Sequence, residues 1–231
     1  MVSGQPVPEP TAADPAIRPA ATLILARRSI TGHQVLMGQR GAAAAFMPSK
    51  FVFPGGAVDA GDATIPLVTP LPVICAARLS DAPGHHALAV AAIRELWEET
   101  GLALGTPATW PGAAPGDWQG FATHGLLPAA ASLRFVFRAI TPPGRTRRFD
   151  ARFFLADAAG IAGDPDDFGA ASDELSHLHW IGLAEARSLD LPFITEVVLS
   201  EVSALLRGGS GEAGVPFFDN SGSVPTFRRL I

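Results

Sequence analysis

Cysteine and lysine are almost missing from this chain: Cys75 and Lys50 are the single examples among 231 residues. One cysteine excludes an intramolecular disulfide and a zinc site built from cysteine clusters. Arginine supplies the remaining side-chain cations, and no function attaches to that bias. No apolar run reaches the roughly 18 residues that a membrane span requires, so no membrane partner is expected. The first twenty residues lack the basic-then-apolar order of a secretory leader. They carry Pro6, Pro8, Pro10, Pro15 and Pro19 instead, and residues 1–17 read as a flexible tail. The C-terminal Arg228-Arg229-Leu230-Ile231 is not the Ser-Lys-Leu address. The expectation is a soluble, cytoplasmic protein. A formal net charge of -5 offers no basic surface for nucleic acid, and none is expected as a partner.

What is present describes one globular domain over residues 18–231. Hydrophobic residues make up 48% and charged residues 17%, enough apolar content for a full core. Residues 21–27 and 34–39 read as strands joined by a turn at Thr31-Gly32-His33. Phe51-Val52-Phe53 is a short strand that stops at the breaker Pro54-Gly55-Gly56. Residues 57–83 are proline-rich with weak periodicity and read as an irregular insertion. Residues 85–100 form the clearest helix, with Leu88, Ala92, Ile93, Leu96 and Trp97 at helical spacing and Gly101 placed as its cap. Residues 105–130 are again rich in Pro and Gly, with a short helix near 118–122. Strands are expected at 133–140, 152–156 and 177–181, and helices at 183–188 and 194–206. Strands interspersed with a few helices give an α/β (α+β) fold.

Chemistry concentrates in Arg94-Glu95-Leu96-Trp97-Glu98-Glu99-Thr100-Gly101-Leu102. On a helix Glu95, Glu98 and Glu99 stand at i, i+3 and i+4, so their carboxylates share a face. Such acids repel one another and raise each other's pKa. A hard cation relieves that repulsion, and Mg2+ or Mn2+ prefers oxygen ligands. Arg94 is placed to pair with Glu98. A solvated acidic face is the plainer interpretation, but the apolar half-helix, the capping glycine and the upstream Gly55-Gly56 argue against it.

These residues resemble the Nudix hydrolase signature: Gly, five residues, Glu, seven residues, then Arg-Glu-apolar-x-Glu-Glu-x-Gly-apolar. Residues 94–102 match its second half in full. Gly56 matches the first half, with Asp62 in place of Glu, and then thirty-one residues (63–93) stand where the family has seven. The resemblance implies an α/β/α sandwich with a mixed sheet and inserted loops. It implies hydrolysis of a diphosphate linkage with Mg2+ or Mn2+, with Glu95, Glu98 and Glu99 as metal ligands or as acids that support the ligands, helped by a backbone carbonyl at Gly55 or Gly56. Arg94 is expected among the catalytic residues. Glu95 is a candidate base, but members of this family often place the base on a separate loop, and Glu174 is the best loop acid here, as base or metal ligand. It is also open to being an ordinary solvated acid.

Arg18-Pro19-Ala20-Ala21-Thr22, Gln39-Arg40, Phe46-Met47-Pro48, residues 51–62, the long insertion (about 63–84) and Arg147 to Phe154 are similar to the subgroup that includes animal peroxisomal coenzyme A diphosphatases. That similarity suggests a CoA or acyl-CoA substrate and makes Arg40 a substrate-binding candidate. Arg148 and Arg152 are picked as a phosphate clamp, against the alternative that one pairs with Asp150. ADP-ribose, NADH and dinucleoside polyphosphates remain open as substrates, as does a non-hydrolytic nucleotide sensor. An isoprenoid isomerase on this fold is disfavoured by the intact acidic signature. His85, His86, His177, His179 and Cys75 are read as structural, and Phe46, Trp110 and Trp118 as packing rather than base-stacking residues. The helix at 194–206 packs on the core or supports a homodimer.

Overall fold

The computed structural model describes residues 15–79, 84–209 and 214–231. Most of the tail expected at 1–17 and the end of the insertion at 80–83 lie outside them. In chain order the elements are β1 (Ile17–Ser29), β2 (Gly32–Arg40), β3 (Phe51–Val52), β4 (Gly55–Ala57), α1 (Val73–Arg78), α2 (His85–Thr100), β5 (Gly105–Pro107), α3 (Gln119–Thr123), β6 (Leu126–Pro128), β7 (Arg134–Ile140), β8 (Arg148–Asp157), β9 (Leu175–Gly182), α4 (Phe193–Leu206), β10 (Val215–Asp219) and β11 (Thr226–Leu230). No helix among the described residues is long and apolar enough to cross a membrane.

β1 is the axis of the sheet because its Ala-Thr-Leu-Ile-Leu-Ala run is apolar on both faces. It lies parallel to β8 from the pair Ile17–Arg148 to the pair Ala26–Asp157, and antiparallel to β2 and β4. The path β11-β10-β7-β8-β1-β2-β3, with β9 against β2 and β4 against β1, makes a nine-stranded mixed sheet. Ser29 pairs with Gly32, so Ile30 and Thr31 form the turn, one position earlier than expected. Ala21, Leu23 and Leu25 face one core with α2, and Ile24 and Ala26 face a second with Val198, Leu199 and Val202 of α4. Helix, sheet and helix therefore form three layers, as expected.

α2 is apolar almost all round, which places it inside the molecule rather than on its surface. Leu88 through Ile93 are fully buried. The sheet covers one side. The insertion covers another: Ile65, Leu71, Cys75 and Leu79 join the same core. Its described part is a packed flank that includes α1, not an irregular excursion. Val68 N–H donates to the Pro128 carbonyl at 3.0 Å, Ala130 N–H donates to Thr69 O at 2.9 Å, and a His86 ring nitrogen lies 2.8 Å from Ile65 O. The 105–130 segment closes the remainder with Trp118 and Phe121, whose rings meet edge to face at 5.3 Å.

Two differences from expectation concern the sheet. β3 stops before the breaker as expected, but Gly55-Gly56 itself re-enters the sheet as β4, because only glycine fits between β1 and α2 there. The C-terminal hairpin β10–β11 extends the sheet beside β7, and its brevity and interior Pro216 hide it from periodicity. Trp118, 2% exposed, is core. Trp118→Ala is expected to lower the unfolding free energy by about 3–5 kcal/mol, measured by urea denaturation. A near-neutral result would return Trp118 to the surface.

Candidate active site

The site assembles where α2 crosses β4. α2 ends as its sequence dictates: Gly101 takes the left-handed conformation at φ 74, and its N–H donates to the Trp97 carbonyl at 2.8 Å. Arg94, only 4% exposed, is the centre of the arrangement. Its Nε donates to Asp62 Oδ1 at 2.9 Å and its Nη2 to Asp62 Oδ2 at 3.1 Å. Nη2 also donates to the Ala57 carbonyl at 3.0 Å. Nη1 reaches Glu95 Oε1 at 2.9 Å and Glu98 Oε2 at 3.0 Å. The pairing expected at i+4 is present, within a larger network.

Asp62 is 2% exposed and is fixed in turn by the Asp59 N–H, which donates to its Oδ2 at 2.8 Å. Thirty-one residues separate Asp62 from Arg94 in the sequence, yet the contact is intact. Asp59 adds a longer ion pair to Arg94 at 3.8 Å.

The three glutamates differ in setting. Glu99 is 1% exposed. Its Oε2 accepts from Gly55 N–H at 2.8 Å, while Oε1 is buried with no hydrogen-bond partner among the described residues. Burial, and then the charge of Glu95, push Glu99 well above the carboxylate range. Burial likewise pushes Glu95 up to about 7, with Arg94 opposing the shift. Glu98 is raised by burial, again against Arg94, with Asp117 from the 105–130 segment adding repulsion. Arg94 stays charged despite its burial because Asp62, Glu95 and Glu98 outweigh the desolvation. A Cβ at Gly56 would collide with the Glu95 carboxylate, and one at Gly55 with Thr22. The double glycine is what lets the backbone of β4 lie against the acids.

These residues fit a divalent cation. Among the described residues no three His, Cys, Asp or Glu side chains converge as a ready-made cage, because Arg94 holds Glu95 and Glu98 and Gly55 N–H holds Glu99. Mg2+ does not need such a cage: it takes one or two carboxylates, keeps several waters and adds substrate phosphates. Glu95, the unpartnered Oε1 of Glu99 and the backbone of Gly56 are the groups that would hold it, with Glu98 alongside.

The loop residues divide. Glu174, its side chain 54% exposed, receives Arg40 Nη2 at 3.0 Å, and its charge reaches both Glu95 and Glu99. Ser172 N–H donates to the Glu98 carbonyl at 3.0 Å, which ties the Glu174 loop to the end of α2. Arg40 and Glu174 are therefore brought to the acidic face.

Arg148 and Arg152 sit inside the fold, and Arg152 takes the internal pairing with Asp150 that the sequence left open. Arg152, 1% exposed, bonds the Asp150 carbonyl at 2.8 Å and pairs with the Asp150 carboxylate at 2.9 Å. Arg148 donates to the carbonyls of Thr141, Asn220 and Ser221. Both are built into the sheet rather than presented as an open clamp. Asp150 also binds Arg138 at 2.8 Å, an internal cross-strand network. Sequence reasoning missed Asp59 and Asp117, which no motif marks.

Two outcomes are expected from this geometry. Arg94→Met leaves buried Asp62 unpaired and should cost about 3–5 kcal/mol in urea denaturation. The folded-state pKa values of Glu95 and Glu99 lie above their unfolded values, so the folded state binds more protons between the ordinary value of 4.5 and about 7. Without metal, stability should thus be highest below that window and fall as pH rises through it. Melting temperatures of chelator-treated protein that stay flat over this range would contradict the burial assigned to these acids.

No protein-family model matches the chain. Two relatives are similar in sequence. A Caenorhabditis elegans protein named nudix hydrolase 7 is 32% identical over 176 residues, covering 71% of this chain and 51% of that protein. Acyl-coenzyme A diphosphatase NUDT19 of Gallus gallus is 31% identical over 147 residues, 49% of this chain and 39% of the relative. The chain spans about half or less of the length of these relatives. Among solved structures, a NUDIX hydrolase from Alicyclobacillus acidocaldarius superposes with a TM-score of 0.62 at 27% identity, covering 87% of this chain and 97% of the other. An Ap4A hydrolase from C. elegans shares the fold with a TM-score of 0.50 at 18% identity, covering 83% and 99%. The first of these relatives is named a nudix hydrolase, and the chain shares with the solved NUDIX hydrolase its fold, a mixed sheet between helices.

Proposed function

We propose that the chain hydrolyses a diphosphate linkage in a nucleoside diphosphate joined to a second moiety, using Mg2+ or Mn2+. The observation that carries this reading is the buried carboxylate of Glu99, whose Oε1 has no hydrogen-bond partner among the described residues and which stands beside Glu95 and the Gly55-Gly56 backbone. Buried acids without partners are costly, and an acidic site retained at that cost fits a bound cation.

A cation held there supplies charge neutralisation at the diphosphate and a more acidic water. The chain's own residues do the rest. Arg94 orients Glu95 and Glu98. Gly55 N–H orients Glu99. Glu174 takes the proton of the attacking water as its oxygen bonds to phosphorus and the bridging P–O bond breaks, leaving one phosphate on each product. Glu95 is the alternative acceptor. CoA or acyl-CoA is the favoured substrate class, on the similarity to the avian acyl-coenzyme A diphosphatase. A nucleotide sensor is disfavoured because all three glutamates are retained.

The test is a panel of CoA, acyl-CoA, NADH, ADP-ribose and diadenosine polyphosphates with Mg2+ and Mn2+. CoA is expected to yield 3′,5′-ADP and phosphopantetheine. Glu99→Gln should lower turnover at least about a hundred-fold while remaining folded. Cleavage of another member alone would discard the CoA assignment. Nucleotide binding without turnover of any member would favour the sensor. Full turnover in Glu174→Gln would remove that residue as the base.

A further inference from the structure

Arg40 ends β2 and is paired with Glu174. Its Nη2 donates to Glu174 Oε1 at 3.0 Å, and its charge reaches Glu99. The two partners differ in freedom. The Arg40 side chain is 18% exposed and that of Glu174 is 54% exposed. Arg40 is also fixed through its main chain. Its N–H donates to Lys50 O at 2.9 Å, its carbonyl accepts from Ser49 N–H at 3.1 Å, and it pairs with Leu175 of β9. The loop that returns to it holds Met47 and Ser49 at φ 50 and φ 60, a conformation kept only where the surroundings enforce it.

This well-held guanidinium is incompletely used. Its Nε is buried with no hydrogen-bond partner among the described residues. A buried donor without an acceptor is costly, and an anion that reaches Nε and Nη2 together has an advantage over the one bond that Glu174 makes. Phosphate oxygens meet that fork geometry. A diphosphate also brings more negative charge to the guanidinium than a carboxylate does, so the two anions repel when both approach.

We propose that Glu174 and the substrate's diphosphate compete for Arg40. Glu174 holds Arg40 while no substrate is bound. The diphosphate displaces it, and the released carboxylate becomes free to meet the attacking water. Arg40 is then a diphosphate-binding residue and also the group that keeps Glu174 engaged until substrate arrives. The consequence for turnover rests on the reading of Glu174 as the proton acceptor, but the competition itself does not.

Binding of methylenediphosphonate, a diphosphate that does not hydrolyse, tests the competition without turnover. Phosphorus NMR titration with Mg2+ present gives its affinity for the wild type, Glu174→Gln, Arg40→Gln and the double variant. Removing the competitor should tighten binding roughly two- to five-fold, the range expected for one exposed ion pair. The gain should vanish when Arg40 is already glutamine, and Glu174→Ala should reproduce it. An equal gain in both backgrounds would show only general repulsion by Glu174 and would overturn the proposal, as would no gain in either. A gain confined to the Arg40 background, together with full turnover in Glu174→Gln, would keep the competition and remove the base assignment.

Discussion

The buried guanidinium of Arg94 is the constraint on which the site depends. A guanidinium has five N–H donors and no acceptor, and Arg94 makes five hydrogen bonds, to Asp62 twice, Ala57, Glu95 and Glu98. Three pieces of chain meet at this one side chain: the turn after β4, β4 itself and the exposed edge of α2. Its charge also keeps Glu95 and Glu98 from rising further. Breaking such a pair strands a buried charge, so the network is fragile to truncation even where its net contribution to stability is modest.

Glu99 lies outside that arginine's reach, and this asymmetry gives the site its character. Among the described residues its hydrogen-bond relief is the Gly55 N–H, and the double glycine brings that backbone close. The fold thus concentrates acids in a place where burial disfavours their charged forms. Burying these acids costs stability, a cost that a bound cation would relieve. The same logic extends to the rim, where Arg40 and Glu174 form an ion pair that is partly open to solvent.

Local chemistry was legible from the residues alone. The i, i+3, i+4 spacing of Glu95, Glu98 and Glu99 and the capping Gly101 define the helix and its acidic face, because helix geometry converts spacing directly into position. Arg40 and Glu174 were legible only as candidates. What could not be read was long-range: Asp62 meets Arg94 across a long insertion, and no local period records where a loop returns. The setting of Arg148 and Arg152 could not be read because an arginine-rich strand looks the same whether its side chains face a ligand or, as here, backbone carbonyls and the Asp150 carboxylate inside the fold. The insertion looked irregular because its prolines break periodicity, yet Leu71, Cys75 and Leu79 pack on the core. The β10–β11 hairpin escaped because five-residue strands carry little pattern.

The central claim is that Glu95 and Glu99, oriented by Arg94 and Gly55, form a divalent-cation site against β4. Anomalous diffraction from crystals soaked in Mn2+ tests it most directly. The account predicts a manganese peak within coordination distance of Glu95 and of Glu99 Oε1, beside Gly56. A peak elsewhere, or none at this face in well-occupied crystals, would contradict it.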